Sequence, residues 1–246
     1  MMKILLLDIE TAPNTAHVWG LWQQNVGLPQ ILESGYVMCW SAKWYGKDEI
    51  MFDSFFHSGH KTMLRGIHKL ISEADAVIHY NGTKFDIPTL NKEFVLHGIK
   101  PPAPYRQIDL LRVVRKQFKF PSNKLDYVAE ALGCGKKMKH IGHQLWIDCM
   151  NKDEGAWLMM QEYNMHDVRL LEDVYIKLLP WIKGHANYNL FGEEGSCPNC
   201  GGHHYQKRGF SYTSAYRYRR FVCKGCGTWF RSNKSEKIQG EKFVGL

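Results

Sequence analysis

The spacing of apolar residues changes character along the chain. In "KILLLDIE" the run Ile4–Leu7 is unbroken and of strand length, the pattern of a strand covered on both faces. "GYVMCWSAKWYG" and "DEIMFDSFF" read as two further strands joined through a turn at Gly46–Lys47–Asp48. Met63, Leu64, Ile67, Leu70 and Ile71 of "KTMLRGIHKLISEA" then recur at helical spacing. "DAVIHYNG" is a short β-rich run closed by a turn signal, and "DIPTLNKEFVLHG" predicts a helix ending at Gly98, with "IKPPAP" as the breaker beyond it. "KLDYVAEALG" and "DEGAWLMMQEYNMHDVRLLEDVYIKLLPWI" continue in helical period, whereas residues 12 to 34, with Trp19, Leu21 and Trp22, show no period. Three strands, a helix, a strand and then helices indicate an α/β or mixed α+β domain. Periodicity stops at Gly184, which divides the chain into a domain at 1–183, a linker at 184–194 and a C-terminal module at 195–246 too small to build its own core.

The polar residues that interrupt this pattern carry the candidate chemistry. Asp8 and Glu10 end the first strand two residues apart, hence on one face, where like charges repel and resist desolvation. Asp86 follows a predicted strand and opens a predicted helix, while Tyr163 and Asp167 stand four apart on one helix face. Singly, each has a plain reading: a strand-end ion pair, a helix cap, a core aromatic beside an exposed acid. Asp109 ends a short strand-like run in "RQIDLLR" and suits a structural role.

Taken in order, Asp8-x-Glu10, the stretch from Asn81 to Phe85–Asp86, and Tyr163-x-x-x-Asp167 resemble the three exonuclease motifs of the DEDD superfamily. The tyrosine marks the DEDDy branch, and the likeness over residues 3 to 182 is nearest to the proofreading 3′→5′ exonuclease domains of family B DNA polymerases. That resemblance implies a ribonuclease H-like fold, a mixed sheet flanked by helices. It also implies cleavage assisted by two Mg²⁺ or Mn²⁺ ions about 3.5–4 Å apart, which hard carboxylate oxygens suit. Asp8 would bridge both ions, Glu10 and Asp167 would hold the water-activating one, and Asp86 the other. Tyr163 would orient the attacking water, since a phenol with a pKa near 10 is a poor base at pH 7. Asn81 and Phe85 would contact the terminal nucleotides. His166, about 100° around the helix from Asp167, falls outside this set. Trp19, Leu21 and Trp22 suit either a wedge between terminal bases or core packing.

Of seven cysteines, Cys39, Cys134 and Cys149 are scattered, while Cys197, Cys200, Cys223 and Cys226 form two C-x2-C pairs separated by 22 residues. That spacing predicts one tetrahedral, four-thiolate Zn²⁺ site and resembles a zinc ribbon, with "HHYQKRGF" and "YRYRRFVC" as strands between the knuckles. Metal binding would supply the folding energy that so small a segment needs. Lys207 to Arg231 holds seven basic residues, seven aromatics and no acid. Lys207, Arg208, Arg217, Arg219 and Arg220 are accordingly candidates for phosphate contacts, with aromatic faces for bases.

The 246 residues carry a net charge of +8, compatible with a polyanionic partner. No apolar run reaches eighteen residues and no secretory cleavage site follows the N-terminus, so a cytoplasmic protein without a membrane span is expected. The expected partners are single-stranded DNA or RNA, together with a replication or repair protein. The alternatives are a structure-selective endonuclease and a non-catalytic recruitment factor, although every motif acid is present.

Overall fold

The structure, a computed structural model, describes residues 2–139, 141–192 and 194–236. They fall into two compact units, one built on Lys3–Tyr175 and one beginning at Ile176. The first contains strands β1 (Ile4–Thr11), β2 (Thr15–Ala16), β3 (Ile31–Glu33), β4 (Val37–Trp44), β5 (Ile50–Ser54), β6 (Ala76–His79) and β7 (Arg106–Asp109). Its helices are α1 (Phe55–Ser58), α2 (His60–Glu73), α3 (Asp86–Leu96), α4 (Leu110–Gln117), α5 (Leu125–Ala131), α6 (Gln144–Met150) and most of α7 (Glu154–Leu178).

Five strands form one mixed sheet in the order β5-β4-β1-β6-β7. β4 and β5 run antiparallel, whereas β1, β6 and β7 run parallel. Alternation along β1 explains how the sheet is covered. Leu5, Leu7 and Ile9 face α2 and α3, packing with Met63, Leu64, Ile67, Leu90 and Phe94. The opposite face meets α6 and α7, where Met38 and Cys39 join Leu145, Cys149, Trp157 and Met160. A strand buried on both sides needs the continuous apolar run seen in the sequence. The expected mixed sheet flanked by helices is therefore present.

Three local features differ from the periodic reading. The strand expected through Phe56 stops at Ser54, whose hydroxyl caps α1 by accepting from the His57 N–H at 3.2 Å. The aperiodic connection contains the β2–β3 pair. Within it Trp19, Leu21 and Trp22 are 98%, 88% and 85% exposed, which removes core packing as their role. Helix α6 arises from a stretch too short to show a period.

The second unit carries β8 (Tyr205–Tyr212), β9 (Arg217–Cys223) and β10 (Trp229–Ser235) in one antiparallel sheet, with β9 central. β8 and β9 occupy the two expected runs, and β10 is additional. The four paired cysteines converge, each offering a sulfur within 4.8 Å of the others. Gly201 shapes the first knuckle: its φ is +72°, and a Cβ there would come within 2.9 Å of the Tyr188 ring. Only glycine meets both demands without cost. None of the seven cysteines forms a disulfide. No described helix is long and apolar enough to cross a membrane.

Candidate active site

The site forms where strand pairing runs out. β1 pairs with β6 only over Ile4–Leu6, so the β1 edge beyond Leu6 needs another acceptor on that side. Asp86 supplies it: the Ile9 N–H donates to Asp86 Oδ1 at 3.3 Å. This notch at the carboxyl ends of parallel strands is where open α/β sheets commonly bind ligands.

Asp8 and Glu10 point to the α7 face, where Tyr163, Asn164 and Asp167 form one stripe of the helix. Asp8, Glu10 and Asp167 each offer a carboxylate oxygen within 4.8 Å of the others. Asn164 Nδ2 donates to Asp8 Oδ2 at 2.7 Å, and the Trp146 indole hydrogen-bonds Glu10. Lys137 Nζ donates to Asp167 Oδ2 at 2.6 Å and to the Tyr163 hydroxyl at 3.2 Å. Asp167 Oδ1 is buried and has no hydrogen-bond partner among the described residues. Asp86 stands outside the three-carboxylate group, tied to Ile9, but its charge reaches Asp8.

Four acids beside one lysine are electrostatically frustrated. Burial, then the charges of Asp86, Asp167 and Glu10, push the Asp8 carboxyl well above the usual carboxylate range. Glu10 is pushed up to about 8, by burial first and by Asp167 and Asp86, against the pull of Lys137. Burial raises Asp86 to about 7, opposed by the backbone N–H bonds it accepts. Tyr163 is also raised, by burial and then Asp167. For Lys137, burial alone would lower the pKa, yet Asp167, Tyr163 and Asp8 together hold it above the usual lysine value. Such a cluster accepts either protons or cations.

Beside it lies a cavity of about 570 Å³ lined by Asp8, Tyr80, Asn81, Arg115, Lys124 and Lys137 among others. Asn81 sits on its wall with φ +69°, a conformation tolerated by asparagine more than most residues. Asp109 holds that turn. Its Oδ1 accepts from the N–H groups of Asn81 and Leu111, both at 3.0 Å, and its Oδ2 from Thr83 N–H at 3.3 Å. Gly82 completes the turn, since a Cβ there would fall 2.4 Å from the buried His79 ring. Phe85 is 45% exposed, just before Asp86. His166 points away, its Nε2 2.8 Å from the Lys136 carbonyl.

Within the second unit, Cys197 and Cys226 sulfurs are 3.7 Å apart, as are those of Cys200 and Cys223. Lys207, Arg208 and Arg220 are exposed. Arg220 stacks on Trp229 at 5.0 Å and donates to the Arg208 carbonyl. Arg217 and Arg219 are instead paired with Glu236, at 3.3 and 2.5 Å, and both guanidiniums lie over the Phe210 ring. Two of the five expected phosphate contacts are therefore already engaged within the protein.

Sequence reasoning missed Lys137, Asn164 and Trp146. Asn164 was findable, because it lies one residue after Tyr163 and three before Asp167 on the same helical stripe. Lys137 sits in the irregular run "GCGKKMKH", where no period assigns it a face.

A model of the RNase H superfamily matches residues 5–179. Among solved structures, the chain is similar to the family B DNA polymerase from the hyperthermophilic archaeon Pyrobaculum calidifontis, with a TM-score of 0.56 at 19% identity. The match covers 73% of this chain and 25% of the polymerase chain, and at that identity it shows a shared fold. No curated protein matches this chain.

Proposed function

The chain belongs to the RNase H superfamily, and from that premise we propose that it is a metal-dependent 3′→5′ exonuclease of the DEDDy type. It releases nucleoside monophosphates from single-stranded ends. Nuclease residues 1–183, a linker at 184–194 and a zinc ribbon at 195–246 make up its organisation. The observation that carries this reading is the convergence of Asp8, Glu10 and Asp167 within 4.8 Å on one face of the sheet. Asp86 stands beside them, its charge felt at Asp8.

The donor set fits hard divalent cations: carboxylate oxygens only, one of them Asp167 Oδ1, which has no hydrogen-bond partner among the described residues, with the Asp8 and Glu10 carboxyls raised by burial and then by neighbouring acids. Asp8, Glu10 and Asp167 would hold one Mg²⁺ or Mn²⁺, and Asp86 with Asp8 a second. Ions bound there supply a water nucleophile at neutral pH and charge stabilisation for the leaving oxygen. The protein's own part is positioning. Asn164 fixes the Asp8 carboxylate, and Lys137 orients the Tyr163 hydroxyl. Without metal, burial and then Asp167 raise the Tyr163 phenol, and a phenol with an ordinary pKa near 10 is a poor base at pH 7; Tyr163 would align the attacking water by hydrogen bonding rather than remove its proton. Asn81 and Phe85 face the terminal nucleotides.

The thiolate set fits zinc as well. A tetrahedron with bonds of about 2.3 Å has edges of about 3.8 Å, against the 3.7 Å separations found. The ribbon engages the nucleic-acid strand through Lys207, Arg208 and Arg220, with Arg217 and Arg219 joining once released from Glu236. A replication or repair protein would bring the nuclease to its substrate. DNA is the preferred substrate because the structural likeness is to a DNA polymerase.

The test is degradation of end-labelled single strands, blocked at one end, with Mg²⁺ or Mn²⁺. We expect digestion from the 3′ end, and a loss of roughly 10³-fold or more in Asp8→Ala, equal to about 4 kcal/mol of barrier. Matched RNA oligomers read the substrate class. Cutting of circular single strands would replace this proposal with an endonuclease, and unaltered activity in Asp8→Ala would move catalysis elsewhere.

A further inference from the structure

A second group of ligating side chains lies on the other face of the sheet, away from the carboxylate site. Glu93, in the last turns of α3, is only 3% exposed. Its Oε2 faces two imidazoles, with His60 Nε2 at 3.2 Å and His97 Nε2 at 3.7 Å. The three ligating atoms lie within 4.8 Å of one another, and the two rings are 4.9 Å apart. Glu93 Oε1 is taken by Lys92 Nζ at 3.0 Å, which leaves Oε2 to the histidines.

From this arrangement we infer that His60, Glu93 and His97 form a binding site for a single Zn²⁺-class transition-metal ion. Two imidazole nitrogens and one carboxylate oxygen suit zinc in a tetrahedral shell, and suit Mg²⁺ poorly. Bonds of about 2.0–2.1 Å place tetrahedral ligands about 3.3–3.4 Å apart; the His60–Glu93 and Glu93–His97 separations bracket that value.

A simple ion pair accounts for these contacts less well. His60 Nε2 is buried and, despite its approach to Glu93, lacks the direction of a hydrogen bond. Lys92 already meets the Glu93 charge through Oε1, yet two imidazole nitrogens also converge on Oε2. One divalent ion between the three atoms accounts for that convergence.

Preorganisation supports the same reading. Glu93 and His97 are i,i+4 on α3 and share a face, while His60 is the first residue of α2, entered through Gly59 with φ +78°. Both helices are locked into one core by Leu64, Ile67, Leu90 and Phe94. Lys92 on the far carboxylate oxygen acts as an outer partner that steadies the ligand. Nearly a third of each imidazole side chain is exposed, so water completes the fourth position. The ion would clamp the start of α2 to the end of α3, the helix whose first residue is Asp86.

The experiment uses the full chain, with the cysteine site loaded with zinc and Mg²⁺ in excess, titrated with further Zn²⁺ while the histidine ring ¹⁵N resonances are followed. One additional equivalent should bind, with His60 and His97 Nε2 shifting together. Cobalt in its place should give tetrahedral d–d absorption without a thiolate charge-transfer band. Loss of a direct ligand costs at least as much as loss of an outer partner, so His97→Ala should bind this equivalent about 10–100-fold more weakly. Glu93→Gln should do the same, and thermal melting reports whether each variant folds. Absence of the extra equivalent, unmoved ring nitrogens, or unchanged affinity in folded His97→Ala would overturn the site.

Discussion

Asp109 offers the most direct test of how the turn lining the cavity beside Asp8 is held. Its carboxylate accepts three backbone N–H bonds, from Asn81, Thr83 and Leu111, and the side chain is almost fully buried. Asp109→Ala removes all three. Each hydrogen bond to a charged acceptor contributes about 1.5–3 kcal/mol, for a gross loss of at least about 4.5 kcal/mol. Water can reach the partly buried N–H groups of the turn and recover some of that, leaving an expected loss of about 2–4 kcal/mol. Loss of the α4 cap alone would cost only about 1 kcal/mol. The assay is urea unfolding, read as a lower midpoint at unchanged slope, together with amide exchange at Asn81 and Thr83, which should become fast. Nuclease activity should also fall, since Asn81 lines the cavity beside Asp8. A loss near 1 kcal/mol with the Asn81 and Thr83 amides still protected would show that the cap matters and that Asp109 does not hold the turn.

Glu10, with its folded pKa near 8 against an ordinary value of about 4.3, binds more protons folded than unfolded between those limits. Stability of the metal-free chain should therefore fall as pH rises from about 4.5 to 8, and melting in chelator should show a shallower slope in Glu10→Gln. Lys137→Met should cost about 2 kcal/mol without Mg²⁺, less than the roughly 3–5 kcal/mol for a fully buried pair because about a third of the lysine side chain reaches solvent. That loss should shrink when Mg²⁺ is added; equal melting shifts with and without Mg²⁺ would show that Lys137 and the metal do not offset the same Asp167 charge. A chain ending near residue 190 should bind single strands more weakly while keeping its turnover at saturation, and equal binding would remove the ribbon from substrate engagement.

The parts of the fold legible in sequence were those where burial imposes a period. α2, α3 and α7 repeat apolar residues at helical spacing, and β1 is an unbroken apolar run of strand length. Asp8, Glu10, Asp86, Tyr163 and Asp167 stood out as polar breaks in that pattern, but it was their resemblance to the three DEDD motifs that grouped them into one candidate site. Lys137 and Asp109 were not read as partners of the site, because each acts through a contact 26 or more residues away in sequence. Only the closed fold creates such contacts, and local pattern holds no trace of them. The engagement of Arg217 and Arg219 by Glu236 was hidden for the same reason, since composition counts charges without showing which are already neutralised.

The bond from Ile9 to Asp86 makes one acid part of the sheet's architecture as well as of the cluster. An asparagine at position 86 keeps an oxygen for the Ile9 N–H and gives up only the negative charge. On the proposed function, Asp86→Asn should thus separate scaffold from chemistry: a chain that folds normally, grips a strand end and fails to cut it, suitable for capturing the bound polymer intact.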